Sequence, residues 1–303
     1  MSFTNLIFQY IFKLMTPNFL FSMKNIAYIF LPLLLAACGS GGSGSGSSAS
    51  TTPFTTFSAI APNSTIQSTG GSTQFTYSPS GVTSNGQSIS GATLTTKYDA
   101  STNPTAISIQ SAQGASVSLN TAIGDTIATT GGIVLGTSKD ANTNLLVSTG
   151  FEYQSFGVWA AGAGSGTAGA FTVGSPTAVA NIPTSGSASF TGKSFGVYGS
   201  SAGVYSTVSD MTATANFTNR SIMFTTSNTI NSDTKAAASA LNLIGSFAYN
   251  SGSAIFSGGV VSSGGMSGVG TGQFYGPAAN EVGGTVSLSG SGGVFTGAFG
   301  GKR

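Results

Sequence analysis

From Asp210 to Phe299 the chain alternates apolar and polar residues with a period of two. Met211, Ala213, Ala215 and Phe217 fall on one side of an extended backbone, and Thr212, Thr214 and Asn216 on the other. Ile222 and Phe224 continue the apolar side in the next run. Leu241, Leu243, Gly245, Phe247 and Tyr249 share a side, as do Val286 with Leu288, and Phe295 with Gly297 and Phe299. Such alternation over consecutive segments predicts half-buried antiparallel strands. Gly and Ala beside Phe on the inward side suit a small closed barrel, filled by large and small side chains in turn. Runs near 188–192, 194–198, 210–217, 221–226, 241–248, 254–260, 271–275 with 283–289, and 293–299 make about eight strands. Lys235–Leu241 is alanine-rich and reads as a single helical turn or a loop. Phe190-Thr191-Gly192 with Phe195-Gly196 recurs, one residue shorter, as Phe295-Thr296-Gly297 with Phe299-Gly300. These would be the first and last strands, placed to pair and close the barrel.

From Phe54 to about Gly174 the apolar runs are less regular: Gln74–Tyr77, Ala92–Tyr98, Ala106–Ile109, Ser116–Leu119, Ile133–Gly136, Leu145–Ser148, Glu152–Trp159 and Ala170–Val173. Asn85-Gly86 and Thr130-Gly131-Gly132 are turn chemistry. This half reads as a β-sandwich-like domain with long loops. The segment from Ser175-Pro176 to Ile182-Pro183 predicts a hinge, because closely spaced prolines block ladder pairing. The fold class is therefore all-β, with a sandwich-like domain over 53–183 and a filled, eight-stranded antiparallel barrel over 184–303. Aromatic side chains on the inner face leave no polar lumen, unlike a membrane pore.

Composition narrows the chemistry. Of nine basic residues, Lys13 and Lys24 precede Cys38, and the remainder balance seven carboxylates. A neutral chain with no basic cluster has no footprint for nucleic acid. Histidine is absent, which removes Ser-His-Asp and Cys-His activation, histidine zinc sites and a histidine proton switch. An enzyme is not expected. The 45 glycines are accompanied by 21 Phe and 9 Tyr, the look of strands punctuated by turns.

Two motifs fail on inspection. Gly164, Gly166 and Gly169 have the spacing G-x-G-x-x-G, but a strand-like run follows where a phosphate cradle needs a helix. Asp140, Asn142 and Asn144 open like a calcium loop, yet Leu145 and Phe151 stand where its glycine and bidentate carboxylate belong. A polar hairpin tip is the better reading. Trp159 and Tyr153 read as core first and as a ligand-facing aromatic patch second. The poorly patterned stretches Ala160–Gly169, Asn228–Ala240 and Ser262–Thr271 are candidate binding loops.

The single cysteine, Cys38, ends the run Leu35-Ala36-Ala37-Cys38 and is followed by Gly39. Met23, Lys24 and Ile26–Leu35 supply the basic and apolar regions of a signal peptide. The run resembles the lipobox of bacterial lipoproteins, in which the thiol takes a diacylglycerol. Residues 1–37 are then a leader, with Met23 as an alternative start. Residues 38–52 form the lipidated cysteine and a Gly/Ser tether. Neither Phe3–Met15 nor Ile26–Leu35 reaches the roughly 18 apolar residues of a spanning helix.

The tail carries a second resemblance. Phe274-Tyr275-Gly276-Pro277-Ala278-Ala279-Asn280-Glu281-Val282-Gly283-Gly284, followed by Gly297-Ala298-Phe299-Gly300-Gly301-Lys302-Arg303, is similar to the last barrel hairpin of the transferrin-binding protein B-like surface lipoproteins of Gram-negative bacteria. Phe156–Trp159 and Ala170–Gly174 look like that family's handle domain ahead of its barrel. The resemblance implies one lobe, handle plus barrel, on the outer membrane facing the cell exterior and delivered by a surface-lipoprotein translocon. It implies capture of an iron or haem carrier protein for nutrient acquisition, with a TonB-dependent receptor as partner. The alternative is an adhesion protein, or one that binds a host regulator in the manner of factor H binders, with no transport role. It brings no required cofactor. Haem is a conceivable ligand, and without histidine its ligation would fall to Tyr or to Met211, Met223 or Met266. The lipobox makes the first prediction: Cys38→Ser abolishes incorporation of labelled palmitate, and continued labelling of that variant refutes lipidation at this residue.

Overall fold

A computed structural model describes residues 56–303 apart from Ser58 and Ser291. Cys38, the leader and the tether lie outside the described residues.

The first nine strands form one antiparallel sheet: β1 (Thr65–Ser78), β2 (Gly81–Tyr98), β3 (Pro104–Gln110), β4 (Ser116–Asn120), β5 (Thr126–Thr130), β6 (Ile133–Thr137), β7 (Thr143–Ser148), β8 (Gln154–Ala161) and β9 (Gly166–Gly174). Their order is β4-β3-β2-β1-β9-β8-β7-β6-β5. Pairing of β1 with β9 in the middle sends β4 and β5, neighbours in sequence, to opposite edges. The sheet curls until those edges meet. Asp125 stitches them, accepting from Asn120 N at 2.8 Å and Lys139 N at 2.9 Å. The two halves close over Leu94, Ile109, Leu119, Val134, Leu145, Trp159 and Phe171, which gives the sandwich-like character. Trp159 stacks on Phe171 at 6.4 Å, so its core role holds.

The remaining strands are β10 (Ser187–Ser200), β11 (Gly203–Asn216), β12 (Ser221–Asn231), β13 (Leu243–Ala248), β14 (Ile255–Ser262), β15 (Ser267–Tyr275), β16 (Glu281–Gly290) and β17 (Gly293–Lys302). They form a closed barrel in chain order. The repeated Phe-Thr-Gly segments do lie on the closing pair: Phe195 faces Ala298 and Gly196 faces Gly297 across β10 and β17. Every inward residue anticipated from the alternation is buried, from Met211 and Phe217 to Phe247, Leu288 and Phe299. Their rings fill the interior, with centroids 4.5 Å apart for Phe224–Phe299 and 5.5 Å for Phe247–Phe256. Each buried Phe contributes about 1.5–3 kcal/mol.

Several local expectations are corrected. The runs 188–192 and 194–198 are one strand, β10, while 271–275 and 283–289 are two, β15 and β16. Asn85-Gly86 is a bulge, not a turn: Thr73 pairs Gln87 and Phe75 pairs Ser84, leaving both residues opposite Gln74. Gly86 takes φ 91° there. The 175–183 segment is pinned instead of hinged. Pro176 bridges Tyr275, Thr177 N donates to Phe274 O at 2.8 Å, and Gly276 N donates to Ser175 O at 3.0 Å. The alanine-rich stretch Lys235–Leu241, by contrast, does contain a single helical turn, the 3₁₀ turn Ser239–Leu241.

Interior glycines make room for these rings. A Cβ on Gly196 would sit 2.2 Å from the Phe295 ring, whereas one on Gly259 would meet nothing within 4 Å. Gly196→Ala should therefore cost about 1–3 kcal/mol by overpacking. Gly259→Ala should cost nothing in the same denaturant titration, and equal losses would refute this account of the core.

Candidate functional site

The tail motif builds a seam between sheet and barrel. Outward-facing Phe195 and Val197 of β10, and Val294 and Ala298 of β17, are buried against Phe75, Phe156, Val158 and Ala170 of the sheet. Phe156 meets Phe195 at 5.3 Å. Gly300 lies under the Phe156 ring, and Gly283 under the Gln154 amide. Gln154 Nε2 donates to Val282 O at 2.9 Å, and Gln87 Nε2 to Thr285 O at 2.8 Å. The Tyr275 hydroxyl, fully enclosed, shares a 2.9 Å hydrogen bond with Thr172 Oγ1.

Glu281 is the polar centre of this seam. Only 3% exposed, it accepts from Glu152 N at 2.7 Å and Tyr153 N at 3.1 Å. Burial raises its pKa, while those two N–H groups and Lys302 pull it back down. The Lys302-Arg303 ending also acquires a reason, because the two residues point to opposite sides of the barrel wall. Lys302 Nζ donates to Gly150 O at 3.2 Å and lies over Phe151. The Arg303 guanidinium covers Phe190 and Phe217, 5.6 Å from each ring.

On the opposite side of the ring of strands the wall is bare. The sheet packs on β16, β17 and β10, and in barrel order β13 lies across from them. No charged residue occurs between Lys235 and Glu281. Met223, Ile244, Val261 and Val269 are 53%, 54%, 51% and 53% exposed. Register makes them one diagonal stripe. Ile244 faces Val261 directly, Met223 lies two residues from Thr225, the partner of Ile244, and Val269 two from Ser267, the partner of Val261. Diagonal cross-strand neighbours are within reach of one another. Gly259, Ser246 and Ser267 between them keep the surface flat. The result is a diagonal aliphatic stripe on a wall whose sequence from 236 to 280 carries no charged residue.

The expected binding loops are compact turns. Residues 232–238 fold back on β12, with Asn231 N donating to Ala236 O and Ala238 N to Thr229 O. The stretch after Ser262 is a turn closed by Ser262 N to Met266 O at 2.8 Å, and 162–165 is a hairpin tip. Asp140 and Asn142 form the anticipated polar tip, bonded to each other and to Ser138. Gly166 and Gly169 lie within β9. Tyr153 and Trp159 do not form a common face: Trp159 is buried and Tyr153 packs over Gly276 at the seam. Met211 and Met266 belong to the barrel core, leaving Met223 exposed. Surface cavities of about 200 Å³ at residues 76–83 and about 80 Å³ beside Tyr249 occur among the described residues. Among the described residues no group of three or more metal-ligating side chains is found.

No family model matches the chain, and no curated protein matches it. Among solved structures, a variant of transferrin-binding protein B from Haemophilus parasuis is 14% identical, with 76% of this chain covering 44% of that one at a TM-score of 0.46. Transferrin-binding protein B from Neisseria meningitidis is 16% identical, with coverage of 77% and 43% and a TM-score of 0.42. An outer membrane protein of Bacteroides fragilis, so described without firm assignment, is 13% identical, with coverage of 82% and 99% and a TM-score of 0.27. The chain thus spans less than half the length of the first two.

The seam generates a pH prediction. Because the folded pKa of Glu281 is raised, its contribution is fully present below the unfolded value near 4.5 and is lost as pH rises through the folded value. With no histidine to oppose it, the melting temperature should rise on acidification from neutral pH toward 4.5. Glu281→Gln should flatten that slope. Glu281→Ala, which strands two N–H donors, should cost about 2–3 kcal/mol. A melting temperature that falls across this window would overturn the reading.

Proposed function

We propose that this chain is a lipid-anchored, surface-exposed binding protein of a Gram-negative outer membrane that captures an iron or haem carrier protein. Acylation at Cys38 holds it, and the tether lets the folded body stand off the membrane. The observation that carries the reading is the uncharged stripe Met223–Ile244–Val261–Val269 on the wall away from the sheet. Rigidity supports it as well: a filled barrel braced by a second sheet presents that wall with little ordering cost on binding. The tail similarity to transferrin-binding lipoproteins supplies the partner class.

The test displays the full chain on cells and measures retention of labelled transferrin, haemoglobin and factor H. Retention of an iron or haem carrier is expected. Ile244→Lys combined with Val261→Lys should reduce it by more than about tenfold at equal display, as loss of central contacts does. Retention of factor H alone would replace nutrient capture with regulator binding. Unchanged capture by the double variant would move the site off this wall.

A further inference from the structure

A different surface, at the end of the barrel where the chain enters, carries an unused polar group. The 3₁₀ turn Val179–Asn181 crosses this end beside the β11–β12 and β13–β14 turns. Between them lies the cavity of about 80 Å³, lined by Val179, Ile182, Phe217, Arg220, Tyr249 and Asn250 among others. Tyr249 N donates to Arg220 O at 3.1 Å and ties the two turns together. The Tyr249 side chain is 8% exposed, and its hydroxyl is buried with no hydrogen-bond partner. A buried hydroxyl left unpaired costs about 1–3 kcal/mol, so a group that satisfies it binds with that advantage.

The neighbouring charge says what kind of group that is. Arg220 is exposed at φ 53°, and no carboxylate lines the cavity. Burial raises the pKa of Tyr249, and the positive charge of Arg220 lowers it. At neutral pH the hydroxyl is protonated and donates. Arg220 and Tyr249 line the cavity together with the apolar Val179, Ile182 and Phe217. A guanidinium fork matches the two oxygens of a carboxylate. The apolar lining suits the methylene beside it, and the volume excludes anything much larger.

We propose that this cavity is a recessed site for a single carboxylate of a partner, on an acidic side chain or a chain terminus, held by Arg220 and the Tyr249 hydroxyl. It is independent of which carrier the aliphatic stripe engages. The Arg303 guanidinium over Phe217 adds a second positive charge at the same end.

Three probes test it on the full chain: N-acetylglycine for a terminus, the α-amide of N-acetylaspartate for a side chain, and N-acetylglycine amide as the neutral control. Saturation-transfer NMR and thermal shift should report saturable binding of at least one carboxylate and none of the control. The stronger carboxylate names the source. Tyr249→Phe keeps the ring, and by removing an unsatisfied hydroxyl it should melt no lower than the parent. It should nonetheless weaken the carboxylate about tenfold, as should Arg220→Gln. Absence of a saturable response, an equal response to the neutral amide, or unchanged binding in Tyr249→Phe would each overturn the assignment.

Discussion

Strands β16 and β17 are packed on both faces, and the rest of the architecture follows from that constraint. An ordinary barrel strand here buries every second residue, as β13 does with Leu243, Gly245 and Phe247 inward and Ile244 outward. On β17 the inward Phe295 and Phe299 fill the barrel while the outward Val294 and Ala298 lie beneath the sheet. Two crowded faces on one backbone leave no room for side chains at successive positions. The glycine doublets resolve this. Gly283 clears space for Gln154 outside and Gly284 for Phe299 inside; Gly300 does so for Phe156 and Gly301 for Phe190 and Met211. A Cβ at any of the four would come within 3.2 Å of another residue. The tail pattern is thus the imprint of a wall that serves two cores at once.

The same wall explains why a buried carboxylate is tolerated. Glu281 opens β16 where the sheet turns from Phe151 toward β8, and two consecutive backbone N–H groups, of Glu152 and Tyr153, donate to it there. Buried N–H groups left unpaired are costly, and a carboxylate with two oxygens satisfies both. Lys302, the register partner of Glu281, lies across from it. The seam is polar where strands end and apolar where they overlap. Glu281 answers the two N–H groups, whereas the Gln87 and Gln154 amides donate to β16 carbonyls and leave their Oε1 atoms buried without a partner.

Period-two alternation made the barrel legible because its inner residues are large and its outer ones are Ser, Thr and Asn. Ser187–Ser200 reads as two runs on either side of Lys193, since the doubly packed stretch after it puts Phe195 and Val197 outward and breaks the phase set by Phe190. Tyr275 and Glu281 hid a hairpin because both are buried. In the first half, β5 escaped notice because Thr126–Thr130 contains one large apolar residue, Ile127. The outer half of β2 is Ser- and Gly-rich and is held mainly by backbone pairing to β1, with Val82 and Gln87 its contacts to the seam. Segments that looked like loops for want of hydrophobic residues were turns and edges stitched by main-chain bonds. The aliphatic stripe was signalled in sequence only by the missing charges between Lys235 and Glu281. Its geometry required the register.

A wall without charge constrains how such a protein can find a partner. Long-range steering needs clustered charge, and the one ion pair among the described residues, Lys193 with Asp210 at 2.6 Å, is half exposed and of little energetic consequence. If the stripe is the proposed binding surface, encounter is governed by diffusion and orientation, and lifetime by burial of aliphatic surface. That arrangement tolerates changes in ionic strength, because screening acts on charges the wall does not have. It also makes a bare aliphatic stripe adhesive toward any apolar surface. Flanking Ser, Thr and Gly limit its width to single residues per strand, and barrel closure leaves no free strand edge beside it for another chain to extend. Specificity then has to come from the shape of a narrow stripe on a rigid cylinder, which is what filling the interior with aromatic rings provides.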